Sequence, residues 1–94
     1  MKTIHKHRLE INNQIQDIKL AKDARLLRVD FVVQDNAIQM WAEVDADTVI
    51  DTPRDLRRFK VFLTGTGIPD NAIYVGSTVN HIKPDAYHVY ELVD

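Results

Sequence analysis

The chain contains no cysteine, which excludes a disulfide framework, a thiol nucleophile and a thiolate zinc site. Glycine and proline are scarce, three of each, and all lie at or beyond Pro53. Turns in the first half must therefore come from Asn and Asp. Aromatic residues make up only 7% of the chain. No apolar run approaches the roughly 18 residues that a membrane-spanning helix needs. The opening MKTIHKHRLE is polar and charged, so an ordinary secretory signal is not expected there. Internal repeats and low-complexity tracts are also missing.

What remains is a composition close to that of globular domains: 45% hydrophobic and 28% charged over 94 residues. That suits one small β-rich domain spanning residues 1–94, with a modest core. The formal net charge of −2 is unevenly spread. Residues 1–28 carry seven Lys and Arg against three Asp and Glu. Residues 29–55 carry one Arg against seven acids, and the remainder is balanced. The basic stretch is interleaved with acids, unlike the strongly basic face of a nucleic-acid binder, so nucleic acid is disfavoured as a partner. A mixed-sign solvated surface explains the pattern, and opposite-sign regions also allow self-association.

Alternation of period two dominates. Thr3 to Ile11 reads as a first strand, Asn12-Asn13 as a turn, and Gln16 to Leu20 as a short second strand. Ala21 to Ala24 is a polar turn. Leu26 to Val33 is the clearest strand, with Leu27, Val29, Phe31 and Val33 expected on one face. Asp35-Asn36 is a hairpin turn, and Ile38 to Val44 the returning strand, which places Trp41 opposite Met40 and Val44. Ala46 to Asp55 reads as an acidic surface loop. Thr52-Pro53-Arg54-Asp55 resembles one helical turn before a strand at Arg57 to Thr64. After the loop from Gly65 to Asn71, Ala72 to His81 is a strand with Ile73, Val75 and Val79 together. Lys83-Pro84-Asp85-Ala86 is a turn and Tyr87 to Val93 the last strand. The expected class is all-β: a small antiparallel sandwich or partly closed barrel of about seven short strands, with at most one helical turn.

Four motifs stand in order along the chain: the opening Met-Lys-Thr-Ile-His-Lys, Trp-Ala-x-Val-Asp at 41–45, Gly-Thr-Gly-x-Pro at 65–69, and His-Val-Tyr-Glu at 88–91. Together they resemble a family of small proteins from tailed bacteriophages and prophages, catalogued as a domain of unknown function. His7 and Ile68 depart from the pattern, which would carry a tyrosine and a histidine. The resemblance implies a phage or prophage origin, with the bacterial cytoplasm or the virion as the place of action. It implies no reaction, ligand or catalytic residue.

Several residues invite a chemical reading. His5-x-His7 would share one face of a strand, with Cα atoms roughly 6.5–7 Å apart, and Glu10 or His88 would complete a metal site. Against this stands the simpler picture of two histidines on a terminal strand. Thr64-Gly65-Thr66-Gly67 would offer an anion nest but lacks the lysine and strand–loop–helix setting of a phosphate loop. Ser77, the sole serine, has no nucleophile elbow around it. Asp45 and Asp47 suit either a hard cation or plain solvation.

No catalytic constellation emerges, so an enzyme is not expected and no cofactor is implied. The residues of greatest interest are apolar and basic: Trp41, Arg57, Arg58, Phe62, Tyr74 and Tyr90, with Tyr87 adding bulk. If one sheet face is open, they would form a protein-binding patch of the residue types that dominate interfaces. If both faces are covered, Trp41 and Phe62 belong to a second core layer. The expected function is thus a non-enzymatic accessory protein acting on a host or host-defence protein, or else a virion component such as a capsid decoration. A small metal- or ligand-binding β-domain ranks third. No membrane partner is expected, and an oligomer is allowed.

Overall fold

The computed structural model describes residues 1–46 and 54–93. Seven strands run in order: β1 (Lys2–Glu10), β2 (Gln16–Ala21), β3 (Arg25–Val32), β4 (Ala37–Asp45), β5 (Arg54–Leu63), β6 (Ile73–Asn80) and β7 (Asp85–Leu92). A three-residue 3₁₀ turn, Val33–Asp35, joins β3 to β4. The strands form two antiparallel sheets, β1-β4-β3 and β2-β5-β7-β6, stacked as a small all-β sandwich with no closed barrel.

The core lies between the sheets. Leu9, Val29, Ile38, Met40, Ala42 and Val44 come from the three-stranded sheet. Leu20, Phe59, Val61, Tyr87 and Val89 come from the four-stranded sheet. Each set follows the alternation that a half-buried strand requires. Met40 and Val44 face inward and Trp41 faces outward, as the sequence pattern indicates.

Turns without glycine use Asx chemistry. Asn12 Oδ1 accepts the Gln14 N–H at 3.0 Å. Asp23 and Asn36 take positive φ of 62° and 47°, a region that Asp and Asn tolerate better than most residues.

Four expectations are corrected. A bulge between Leu26 and Arg28 turns Leu26 toward the core and leaves Leu27 exposed. A second bulge between Tyr74 and Gly76 reverses the alternation beyond it, so Thr78 and Asn80 are buried while Val79 is exposed; Ile73, ahead of the bulge, is exposed as well. The last hairpin is led by Asn80, whose Oδ1 accepts the N–H groups of Ile82 and Lys83, and Asp85 already belongs to β7. Finally, Arg54 and Asp55 are the first residues of β5, so no helical turn ends there. Thr52, Pro53 and most of the acidic loop, including Asp47, lie outside the described residues.

The two sides where the sheets meet differ. At β3 and β6 the edges nearly touch. A Cβ on Gly76 would stand 2.8 Å from Val29 Cγ2, so only glycine fits without a shift. Two residues on in both strands, the Phe31 N–H donates to Thr78 Oγ1 at 2.9 Å, and the Thr78 hydroxyl donates to Asp30 Oδ1 at 3.1 Å. At β1 and β2 the link sits at the connecting turn. Gln16 Oε1 accepts the Glu10 N–H at 2.7 Å, and Gln16 Nε2 donates to the Glu10 carbonyl at 2.8 Å. One side-chain amide thus mimics a strand partner for one residue.

Candidate functional site

The outer face of the four-stranded sheet carries the densest group of chemically capable side chains. Register alone lays them out in rows. Lys60 on β5 stands across from Tyr90 on β7, which stands across from Tyr74 on β6. One row further, Phe62, His88 and Ser77 follow in the same order.

In the first row, Tyr90 is the hub. Its ring meets Tyr74 edge-on at 5.4 Å and Phe62 edge-on at 5.7 Å, both favoured geometries for aromatic pairs. Lys60 Nζ lies 5.1 Å from the Phe62 ring centre, a cation–π contact. Phe62 is only 3% exposed and so supports the face rather than offering a contact. Tyr74, by contrast, is 57% exposed. Arg58 shares this side of β5 and pairs with Asp17 on β2 at 3.7 Å.

The second row forms a hydrogen-bonded chain. Thr64 Oγ1 lies 2.8 Å from His88 Nε2, Ser77 Oγ lies 2.8 Å from His88 Nδ1, and the Tyr74 hydroxyl lies 2.8 Å from Ser77 Oγ. A Ser–His contact of this length is what nucleophile activation uses. Here, however, the second nitrogen of His88 meets a threonine hydroxyl, not the carboxylate that would orient and charge-stabilise a general base. The arrangement fixes the Tyr74 ring and sets the polarity of the face.

The other sequence candidates lie elsewhere. Trp41 is on the opposite sheet, half-buried beside Ile4, Leu27 and Arg28 in a shallow depression of about 390 Å³. Arg57 points inward: it makes a bidentate pair with Glu91 at 2.6 and 2.7 Å, donates to the Ala24 carbonyl at 2.9 Å, and lies over the Phe59 ring. Its hydrogen bonds to Glu91, more than the charge alone, raise its pKa above the ordinary arginine value despite burial. Trp41 and Arg57 therefore do not join Arg58, Tyr74 and Tyr90 in one patch. Tyr87 is a core residue whose ring packs at a tilt against Phe31, centroids 5.7 Å apart.

The histidines do not converge either. His5 and His7 share the core-facing side of β1, as their spacing predicts, but His88 sits apart from them on the outer face of β7 against Ser77. Among the described residues no group of three or more His, Asp or Glu is placed to hold a metal ion. His7 is instead a half-buried histidine whose Nε2 is shut from solvent with no hydrogen-bond partner among the described residues. Burial first, then the charges of His5 and Arg54, lower its pKa. In the glycine loop, the Thr66 N–H donates to the Leu63 carbonyl at 3.1 Å, and Gly65 takes φ of 89°. That is turn geometry, and it uses an amide that an anion nest would need.

Sequence reasoning missed the Thr64–His88–Ser77 chain. Only the β6–β7 register places Ser77 beside His88, and only the turn after β5 returns Thr64 to its other side.

The fold and this face together define a two-sheet all-β domain bearing a tyrosine-rich polar surface. No helix among the described residues is long and apolar enough to cross a membrane. The chain belongs to the family described as Domain of unknown function (DUF7352), whose match covers residues 1–94. Neither a curated protein nor a solved structure matches it significantly.

Proposed function

We propose that this chain is a non-enzymatic phage or prophage accessory protein that works by binding another protein through the outer face of the four-stranded sheet. The observation that carries this reading is the row Lys60–Tyr90–Tyr74. It presents an exposed tyrosine held rigid by the ring of Tyr90 and by the Ser77 hydroxyl, beside Lys60 and Arg58. Tyrosine and arginine anchor interfaces because they add large contact area at little conformational cost. The basic neighbours favour a host or host-defence protein with an acidic rim around an apolar pocket. The motif order supports the phage origin.

The test is a binary one. A protein captured from infected cells is purified and its affinity for the chain is measured directly. Tyr74→Ala should weaken that complex by about 2 kcal/mol, the loss typical of an interface anchor. Thermal unfolding should stay nearly unchanged, because Tyr74 is exposed. Equal affinity in wild type and variant would sink this face. Recovery of the chain's peptides from purified particles would assign its partner to the virion instead.

A further inference from the structure

The first strand offers a second, separate surface. Its register with β4 decides which backbone groups are free. Met1 O accepts the Ala46 N–H at 2.9 Å, just beyond the pairs that run from Lys2↔Asp45 to Glu10↔Ala37. In an antiparallel ladder, inward and outward backbone groups alternate. Thr3, His5, His7 and Leu9 therefore bond to β4, and Lys2, Ile4, Lys6 and Arg8 turn their N–H and C=O groups away from it. The next outward residue, Glu10, confirms this phase, because both of its backbone groups meet the Gln16 amide. No strand pairs with β1 on that side among the described residues. Residues Lys2 to Lys6 are exposed on both faces as well.

We propose that this edge takes up an extended acidic segment of a partner protein as an added strand, pairing with Lys2, Ile4, Lys6 and Arg8. Such addition supplies affinity through main-chain hydrogen bonds and specificity through alternate side chains. The side chains here are one-sided in charge. From Lys2 to Arg8 the strand holds three Lys and Arg, two His and no acid. Lys2 reaches the half-buried Glu43 at 3.3 Å, and Arg8 reaches Glu10 at 2.8 Å; both cations are solvent-exposed, and surface pairs of this kind are weak enough for a competing carboxylate to displace. Lys6, in the middle, has no carboxylate partner among the described residues.

A second copy of the chain fits this edge poorly. Two-fold antiparallel pairing of β1 with itself sets Lys2 against Lys6, Lys2 against Arg8, or Lys6 against Lys6 in every register that uses three or more of the four outward residues. Like charges directly opposite one another destabilise a ladder, and edge lysines are a recognised guard against self-pairing. The same charges attract a strand with acids at alternate positions.

Amide hydrogen exchange reads this edge residue by residue. In the free protein the amides of Ile4, Lys6 and Arg8 should exchange fast, and those of His5, His7 and Leu9 slowly. The probe is a synthetic peptide of about seven residues alternating Glu and Val, a typical strand length. At saturation it should slow exchange at Ile4, Lys6 and Arg8 on the order of tenfold or more. The protection should weaken with added salt and with Lys6→Glu, an exposed substitution that leaves the fold intact. It should vanish when alternate peptide amides are N-methylated. Slow exchange at these amides in the free protein, no added protection at millimolar peptide, or equal protection by a control peptide of the same length alternating Lys and Val would each overturn the proposal. Tyr74→Ala serves as the control: it should leave this protection unchanged, so that failure here and failure of the tyrosine face are told apart.

Discussion

The sandwich is closed along one side and open along the other, and the contrast shows what joins two sheets. At β3 and β6, a missing side chain and a hydroxyl bring the edges into contact. Gly76 lets Val29 approach, and Thr78 gives the Phe31 N–H an acceptor where no ladder reaches it. At β1 and β2, Gln16 covers a single residue, and among the described residues no strand pairs with the rest of the edge. The closed side is a matter of stability. The open side is where another chain can add.

Substitutions sharpen that contrast, and Gly76→Ala should have the largest effect. Its Cβ would meet Val29 Cγ2 at 2.8 Å, and a buried β-branched valine has little room to turn. We expect a loss of about 1–3 kcal/mol in denaturant unfolding, the usual cost of overpacking. Combining it with Val29→Ala should restore part of the loss by relieving the clash, which a double-mutant cycle would register as coupling. A purely additive result would mean that the edges do not touch.

Thr78→Val keeps the shape and removes the hydroxyl. The Phe31 N–H then depends on Asp30 Oδ1 of the preceding residue, at 3.1 Å. The expected loss is about 1–2 kcal/mol by the same measurement, since a part-buried donor loses its best acceptor. On the open side, Gln16→Ala should cost less, about 0.5–1 kcal/mol, because water can replace both bonds at an exposed site. It should also extend fast amide exchange to Glu10.

The smallest effect is a drift with pH at His7. Burial, with His5 and Arg54 nearby, disfavours its charged form in the folded state, so the folded pKa lies below the ordinary histidine value. The unfolded chain then binds more protons in that window. The stabilising contribution is present above the unfolded pKa and is lost as pH falls from there toward the folded value. His7→Phe should flatten unfolding midpoints measured across that range, and an unchanged slope would remove His7 as the cause.

The strands were legible because alternation is a local property. Leu9, Ile38, Met40 and Val44 announce their inward side within a few residues. The bulges at Leu27 and Val75 were not legible, since a bulge arises from the match between two strands and not from one strand's own pattern. That difference misplaced Val79, which follows a perfect alternation on paper and faces solvent in the fold. Among the candidate site residues, Tyr74, Tyr90 and Arg58 share one face because sheet register unites β5, β6 and β7. Trp41 and Arg57 have the same residue-type credentials, but the fold places them away from that face.

By itself, then, the sequence determined a cysteine-free, all-β chain of alternating strands with Asx-led turns and a basic first strand. Those follow from side-chain chemistry and a period of two, each readable within a short window. Only the tertiary structure decided which strands became edges, that Arg57 turned inward to Glu91, and that His88 stood between Thr64 and Ser77. These depend on pairing between residues tens of positions apart, where the gain comes from burying both sheets at once and no local pattern records the choice.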